Sequence, residues 1–193
     1  MILVNNVGVI TSEENFRTMN PLVSFPVPLK AEDIAPFGMF ILQEIQPPDY
    51  SSFYTVQQSA PVLVNGLWTQ TWIQTAIDLQ SAITQQLSNL ANARYNAQIA
   101  PVTIDTVSIN ADPTSLLMLN STIAFLNGST TATVNFKAAS GWTTLNLVQL
   151  QAFATAINAQ IQTCFANEFV HTQNIMALTS TDAVAAYDIT IGW

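Results

Sequence analysis

The stretch Pro61-Val62-Leu63-Val64-Asn65-Gly66-Leu67-Trp68-Thr69-Gln70-Thr71-Trp72 sets the fold class. Two strand-like runs flank Asn-Gly, the pair that best tolerates the positive φ needed at both positions of a two-residue turn. The segment therefore reads as an antiparallel hairpin. Side chains alternate along a strand, so Leu67, Thr69 and Thr71 share one face and Trp68, Gln70 and Trp72 the other. Two tryptophans on one face predict burial, in the subunit or against a neighbour. Just beyond, Thr75-x-x-Asp78 reads as a capping-box start. Ala76, Gln80, Ile83, Leu87 and Leu90 then recur at helical spacing, and the helix runs to about Ala97. A hairpin followed by a long helix predicts α+β architecture: long helices beside small antiparallel hairpins.

Downstream the same signals repeat. Val102-x-Ile104 and Val107-x-Ile109 read as two very short strands. Asp112-Pro113 is a strong helix start, with an acceptor at the N-cap and proline at the first helical position, and it opens a helix over Thr114–Leu126. Asn127-Gly128 supplies its left-handed stop. Thr131–Phe136 and Trp142–Leu145 form a small hairpin around Ser140-Gly141. Asn146 with Gln149 is a second capping pair. It opens the longest helix, about Leu147 to Leu178, with an apolar stripe of Leu150, Phe153, Ile157, Ile161 and Cys164 or Phe165. Thr181-Asp182 caps a last short helix through Tyr187.

Upstream, six of the nine prolines fall between Pro21 and Pro48. Each removes a backbone donor, which disfavours helix and central strand, so residues 1–60 read as a Pro-rich irregular arm. Val7–Ile10 and Met39–Leu42 are its candidate edge strands. The expected organisation is that arm, then the Trp hairpin with its linking helix over 61–97, then a C-terminal α+β domain over 98–193.

Charge is scarce. Charged residues make up 8% of the 193, against about 25% in ordinary soluble domains, while mean hydropathy is +0.31. No apolar run reaches the roughly 18 residues that a membrane span requires, and Met1–Ile10 lacks a basic leader, so neither membrane insertion nor a signal peptide is expected. The net charge is −8, and only Arg17, Lys30, Arg94 and Lys137 are basic. Four scattered cations do not track a phosphate backbone, which argues against nucleic-acid binding. Asn, Gln, Ser and Thr replace the missing charge, and two spans have none at all: Tyr50–Ile77 and Ala138–Asn167. Uncharged polar faces suit contact with other subunits, where burying a charge is costly.

Candidates for chemistry are few. The single histidine, His171, stands three residues after Glu168, but a carboxylate–histidine metal site needs more ligands than this chain offers. That pair reads as a solvated helix face. Cys164, on the apolar stripe, reads as a small buried hydrophobe. Glu13-Glu14 and Glu32-Asp33 read as solubilising loop residues or helix starts, and Asp105 as a turn residue. No phosphate-binding glycine loop is present. The expectation is a non-enzyme with no cofactor and no metal. Candidate partner contacts lie in the two uncharged spans: Trp68, Gln70 and Trp72 in the first, Trp142, Gln149 and Gln160 in the second.

From about Arg94 to Trp193 the chain resembles an uncharacterised domain family of bacteriophage tail and tail-fibre-associated proteins. The likeness rests on Asp112-Pro-Thr-Ser115, Val134-Asn-Phe-Lys-Ala-Ala-Ser-Gly-Trp-Thr-Thr-Leu145, Cys164-Phe-Ala-Asn-Glu168 and Asp188-Ile-Thr-Ile-Gly-Trp193. The first half is similar to short phage proteins often encoded near tail-fibre genes, through Asn20-Pro-Leu-Val-Ser-Phe-Pro26, Ala35-Pro-Phe-Gly38 and Gly66-Leu-Trp-Thr-Gln-Thr-Trp72. The resemblance implies a non-catalytic tail component that binds tail-fibre or baseplate protein. Its role would be tail-fibre assembly chaperone or permanent virion subunit, assembled in the host cytoplasm and located in the virion tail. It also implies a homo- or hetero-oligomer, with a trimer as one form because phage fibres are generally trimeric. The uncharged helices depart from the charge-rich helices usual in the family, which favours stable packing in a complex. The alternative from a different class is a host-surface module at the fibre tip, binding glycans through exposed Trp68, Trp72 or Trp142.

Overall fold

The computed structural model describes residues 1–127 and 131–193. It is α+β, with helices beside small antiparallel sheets. The chain forms two compact units, Met1–Ile77 and Asp78–Trp193. The boundary therefore falls between the hairpin and the helix that follows it, two elements grouped together in the sequence reading.

In the first unit, β1 (Ile2–Asn5) is the centre of a three-stranded antiparallel sheet. β2 (Ile10–Ser12) lies on one side and β3 (Met39–Ile41) on the other. The expected strand over Val7–Ile10 is displaced. The Asn5 carboxamide accepts from the backbone N–H groups of Val7 and Val9 and folds that stretch into a turn, and pairing resumes at Ile10. Ser12 then caps α1 (Glu13–Met19) by accepting from the Asn15 N–H. Glu13-Glu14 and Glu32-Asp33 both sit in first helical turns, of α1 and of the short α2 (Ala31–Ile34), where negative charge complements the exposed N–H groups.

The proline-rich segment is held rather than loose. Arg17 binds Glu13 at 2.8 Å, donates to the Phe25 and Pro26 carbonyls, and lies over the Phe25 ring. Phe16, Phe25 and Phe37 form a ring cluster with centroids 5.0 to 5.5 Å apart. Phe16 and Phe25 make a small core with Leu3, Leu29 and Ile34.

The Asn-Gly hairpin forms as the sequence predicts, with φ of +50° at Asn65 and +82° at Gly66. It is longer than expected: β4 (Tyr54–Val64) pairs with β5 (Leu67–Ala76), with a register shift between Ser59 and Val62, around Pro61. Gln43 ties this ribbon to the small sheet, donating to the Trp68 carbonyl at 2.8 Å and accepting from Gln70 N–H at 2.9 Å.

The second unit is built on helices. α3 (Leu79–Gln98) is capped by Asp78 itself, which accepts from Ser81 N–H; Thr75 is not the cap, because β5 continues through Ala76. Its buried positions are Ala82, Gln86 and Leu90; Gln80 is exposed, and Ile83 and Leu87 only flank the seam. β6 (Val102–Ile104) and β7 (Val107–Ile109) pair around a turn in which Asp105 takes φ +54°. Asp112 caps α4 (Pro113–Leu126), accepting from Thr114 and Ser115 N–H. Asn127 is its C-cap, and the expected glycine stop at Gly128 lies outside the described residues.

β8 (Thr133–Ala138) and β9 (Gly141–Asn146) form the second hairpin. The reciprocal Asn146–Gln149 capping box then opens α5 (Leu147–Met176). Leu119, Phe136, Leu145, Leu150, Phe153 and Ile157 meet in the core between these elements. α3 and α6 (Thr181–Ala186) pack on the later part of the unit. The cap of α6 is Ser180, not Thr181-Asp182: its hydroxyl accepts from Ala183 N–H, and Thr181 is buried.

Candidate functional site

Several titratable groups in the second unit have structural partners that account for them. His171 is buried, contrary to its reading as part of a solvated face. Its Nε2 lies 3.0 Å from the Ile191 carbonyl and its Nδ1 2.8 Å from the Tyr187 hydroxyl. A carbonyl only accepts, so Nε2 carries a proton, and in the neutral ring Nδ1 accepts from Tyr187. Tyr187 in turn accepts from the Asn174 carboxamide, and Asn167 donates to the Gly192 carbonyl. This network ties the last residues of the chain to α5.

Glu168 does not face a shared ligand with His171. It pairs with Arg94 of α3 at 3.2 Å, and that guanidinium also lies over the Phe165 ring. Cys164 is buried, and desolvation raises its thiol pKa, so it is held as the poorly nucleophilic thiol. Hydrogen bonds from Ser81, Ser115 and Thr190 hold Asp78, Asp112 and Asp188 below the ordinary carboxylate range. Among the described residues no three His, Cys, Asp or Glu side chains converge in a metal-binding group, and no helix is long and apolar enough to cross a membrane.

Surface chemistry differs from this. In the first unit, Trp68 is half-buried against Phe40, with centroids 6.4 Å apart. It lines a groove of about 480 Å³ with Met39, Ile41 and Leu67, where Gln43 is the main polar side chain. Gln70 is buried, and its N–H is spent on Gln43. Trp72 is half-buried and donates its indole N–H to the Ile45 carbonyl. The hairpin itself leaves Val62, Leu63, Val64, Leu67 and Ile73 exposed on strands without a charge.

In the second unit, Trp142 is 75% exposed on β9, beside a shallow cleft formed with Asn135, Thr143 and Thr144. Gln149 is exposed but committed to the capping box. Gln160 turns inward, its amide directed at the Ala97, Gln98 and Ala100 carbonyls at the end of α3. Of the six candidate contacts, Trp142 is thus the most freely presented.

Sequence reading missed the outward face of α5. Val148, Phe165, Phe169, Val170 and Met176 are all exposed there, and Phe165 stands outside the core stripe to which Cys164 belongs. Its signal was available: bulky apolar residues on the side of the helix opposite Leu150, Phe153 and Ile157.

The chain belongs to the family described as a domain of unknown function, DUF4376, which it matches over residues 78–191. The match starts where the second compact unit starts. No curated protein and no solved structure matches the chain.

Proposed function

We propose that this chain is a non-catalytic bacteriophage tail component that binds tail-fibre or baseplate protein, as an assembly chaperone or as a permanent subunit of the virion tail. The observation that carries the binding reading is a mismatch of surface and solvent. The β4–β5 ribbon and the outer face of α5 expose bulky apolar side chains and carry no charge. Exposed apolar patches of this kind mark interaction sites, and a face without charge avoids the desolvation cost of a charged interface. The assignment to a phage tail rests on the sequence resemblance described above. The test is recovery of the protein from infected cells through an affinity tag. Co-recovery of a fibre or baseplate protein is expected; recovery alone refutes the reading.

A second reading is favoured by one observation. Trp142 stands open beside the Asn135 carboxamide and two threonine hydroxyls, a platform of the type that stacks on a sugar ring while amides and hydroxyls bond its edges. Binding of the purified protein to host-surface glycans, lost in Trp142→Ala, would establish it. Trp68 and Trp72 offer less to a glycan, since one is packed on Phe40 and the other has spent its N–H.

A further inference from the structure

We infer that the outer face of the β8–β9 hairpin selects a carboxylated sugar, a uronic or sialic acid, with Lys137 as the group that binds the carboxylate. The inference rests on the glycan reading of Trp142 and adds the charge of the ligand. Side chains alternate along the hairpin: Phe136 and Leu145 are buried, while Asn135, Lys137, Trp142 and Thr144 are exposed. The register sets Lys137 directly across from Trp142 and Asn135 across from Thr144. Directly opposed side chains start about 5 Å apart, and the two rows stand about 7 Å apart along the strands. An indole face, an ammonium and an amide–hydroxyl pair thus share a patch the size of one sugar unit. The open cleft beside Trp142 measures about 460 Å³, within the range of about 300–1,000 Å³ that small ligands occupy.

Charge sets this lysine apart. Arg17, Lys30 and Arg94 each pair with a carboxylate; among the described residues Lys137 alone of the four cations has no such partner. It is also the single charged residue in the whole span Pro113–Asn167, so the hairpin itself is positive in a chain of net charge −8. Asp112, the nearest acid in sequence, is bound to the Thr114 and Ser115 N–H groups and the Ser115 hydroxyl. Repulsion by more distant acids is screened beyond about 8 Å at physiological ionic strength. A lysine ammonium is one compact charge, which the single charge of a carboxylate matches; a phosphate monoester carries nearly two. The rest of the face fits a sugar ring. The Thr144 hydroxyl donates to the Asn135 carboxamide oxygen at 3.2 Å. That leaves the Asn135 amide hydrogens to donate and the Thr144 oxygen to accept, as neighbouring sugar hydroxyls require. The apolar C–H face of the ring packs on the indole.

The test titrates the purified full-length chain, by calorimetry, with sialyllactose and with a tetrasaccharide containing glucuronic acid, each beside its carboxyl-reduced form. An exposed ion pair adds a modest increment, so each acidic sugar is expected to bind about two- to fivefold tighter than its reduced form. Lys137→Gln should remove that preference and leave binding of the reduced form intact, and Lys137→Arg should keep it. Lys30→Gln changes an exposed cation that already has Glu32 as its partner and should have no effect. Trp142→Ala, at a position 75% exposed, should abolish binding of both forms with an unchanged circular dichroism spectrum. Binding of none of the four sugars refutes the glycan reading and the carboxylate selection together. Equal binding of acidic and reduced forms, or a preference that Lys137→Gln leaves unchanged, overturns the carboxylate selection and leaves the glycan reading standing. Selection of one acid over the other, with the dependence on Lys137 intact, supports the inference and names the sugar.

Discussion

The two units reach stability by different means. The second has ten residues in one buried cluster and long helices with side-chain caps at their starts. The first has four buried residues in its cluster, a three-stranded sheet of very short strands, and a two-stranded ribbon. A two-stranded ribbon is marginal by itself. Here it is secured by backbone bonds through Gln43 and by the Trp72 indole, and the proline segment is secured by Arg17. A unit of this kind has little core in reserve and presents much of its apolar surface outward. The contrast predicts that the family domain withstands truncation of its core better than the segment before it.

Core truncation breaks the comparison most sharply. Phe16→Ala removes the ring at the centre of the first unit's cluster, at a typical cost of about 3–5 kcal/mol. Hydrogen exchange should then become fast across residues 1–77 while α3, α4 and α5 keep their protection. Leu150→Ala costs about 2–5 kcal/mol in the second unit, whose larger core should hold it folded with faster exchange. Equal loss of protection in both units in either variant would contradict the division.

His171→Ala sharpens the account of the second unit. It removes the donor to the Ile191 carbonyl and one of the two partners of the Tyr187 hydroxyl, at about 1–3 kcal/mol. Loss of exchange protection should be confined to the last residues and α6. Gly66→Ala is smaller still. Nothing lies near the added methyl, so the cost is backbone strain at φ +82°, about 1 kcal/mol. Ribbon amides should exchange faster and α5 amides should not.

Acid provides the gentlest probe. Asp78 and Asp112 cap α3 and α4 as carboxylates, and their folded values lie below the ordinary 3.8. The folded state thus binds protons less readily than the unfolded chain. Their stabilisation is complete above the unfolded value and is lost as pH falls below it. Helix α1, capped by the Ser12 hydroxyl, has no such titrating cap. Circular dichroism should report helix loss below about pH 4, with a weaker dependence in Asp112→Asn.

What was legible in the sequence was local. Asn65-Gly66, Asp112-Pro113 and Asn146 with Gln149 each state their own geometry, and each forms as read. What was not legible depends on residues distant in sequence. Nothing near His171 announces that Tyr187 and Ile191 return to it, so it read as solvated. Gln86 is buried because its carboxamide donates to the Tyr187 carbonyl, about a hundred residues away in sequence. The Pro-rich arm gave no sign that Arg17 would clasp it. For the contact surface, the absence of charge was readable, but which uncharged side chains point outward was not: Gln70 and Gln160 turned inward, while Phe165 and Phe169 turned out.

The central claim is that the uncharged outward faces are covered in an assembly. Its most direct measurement is mass spectrometry of purified phage particles, with copy number, for the wild type and for Gln162→Lys on α5 and Gln58→Lys on β4, both exposed positions. A defined copy number in the wild type, or association with tail precursors before release, is expected, with a marked fall in either variant and unchanged folding of the purified proteins. Incorporation at the wild-type level by both lysine variants would contradict the claim.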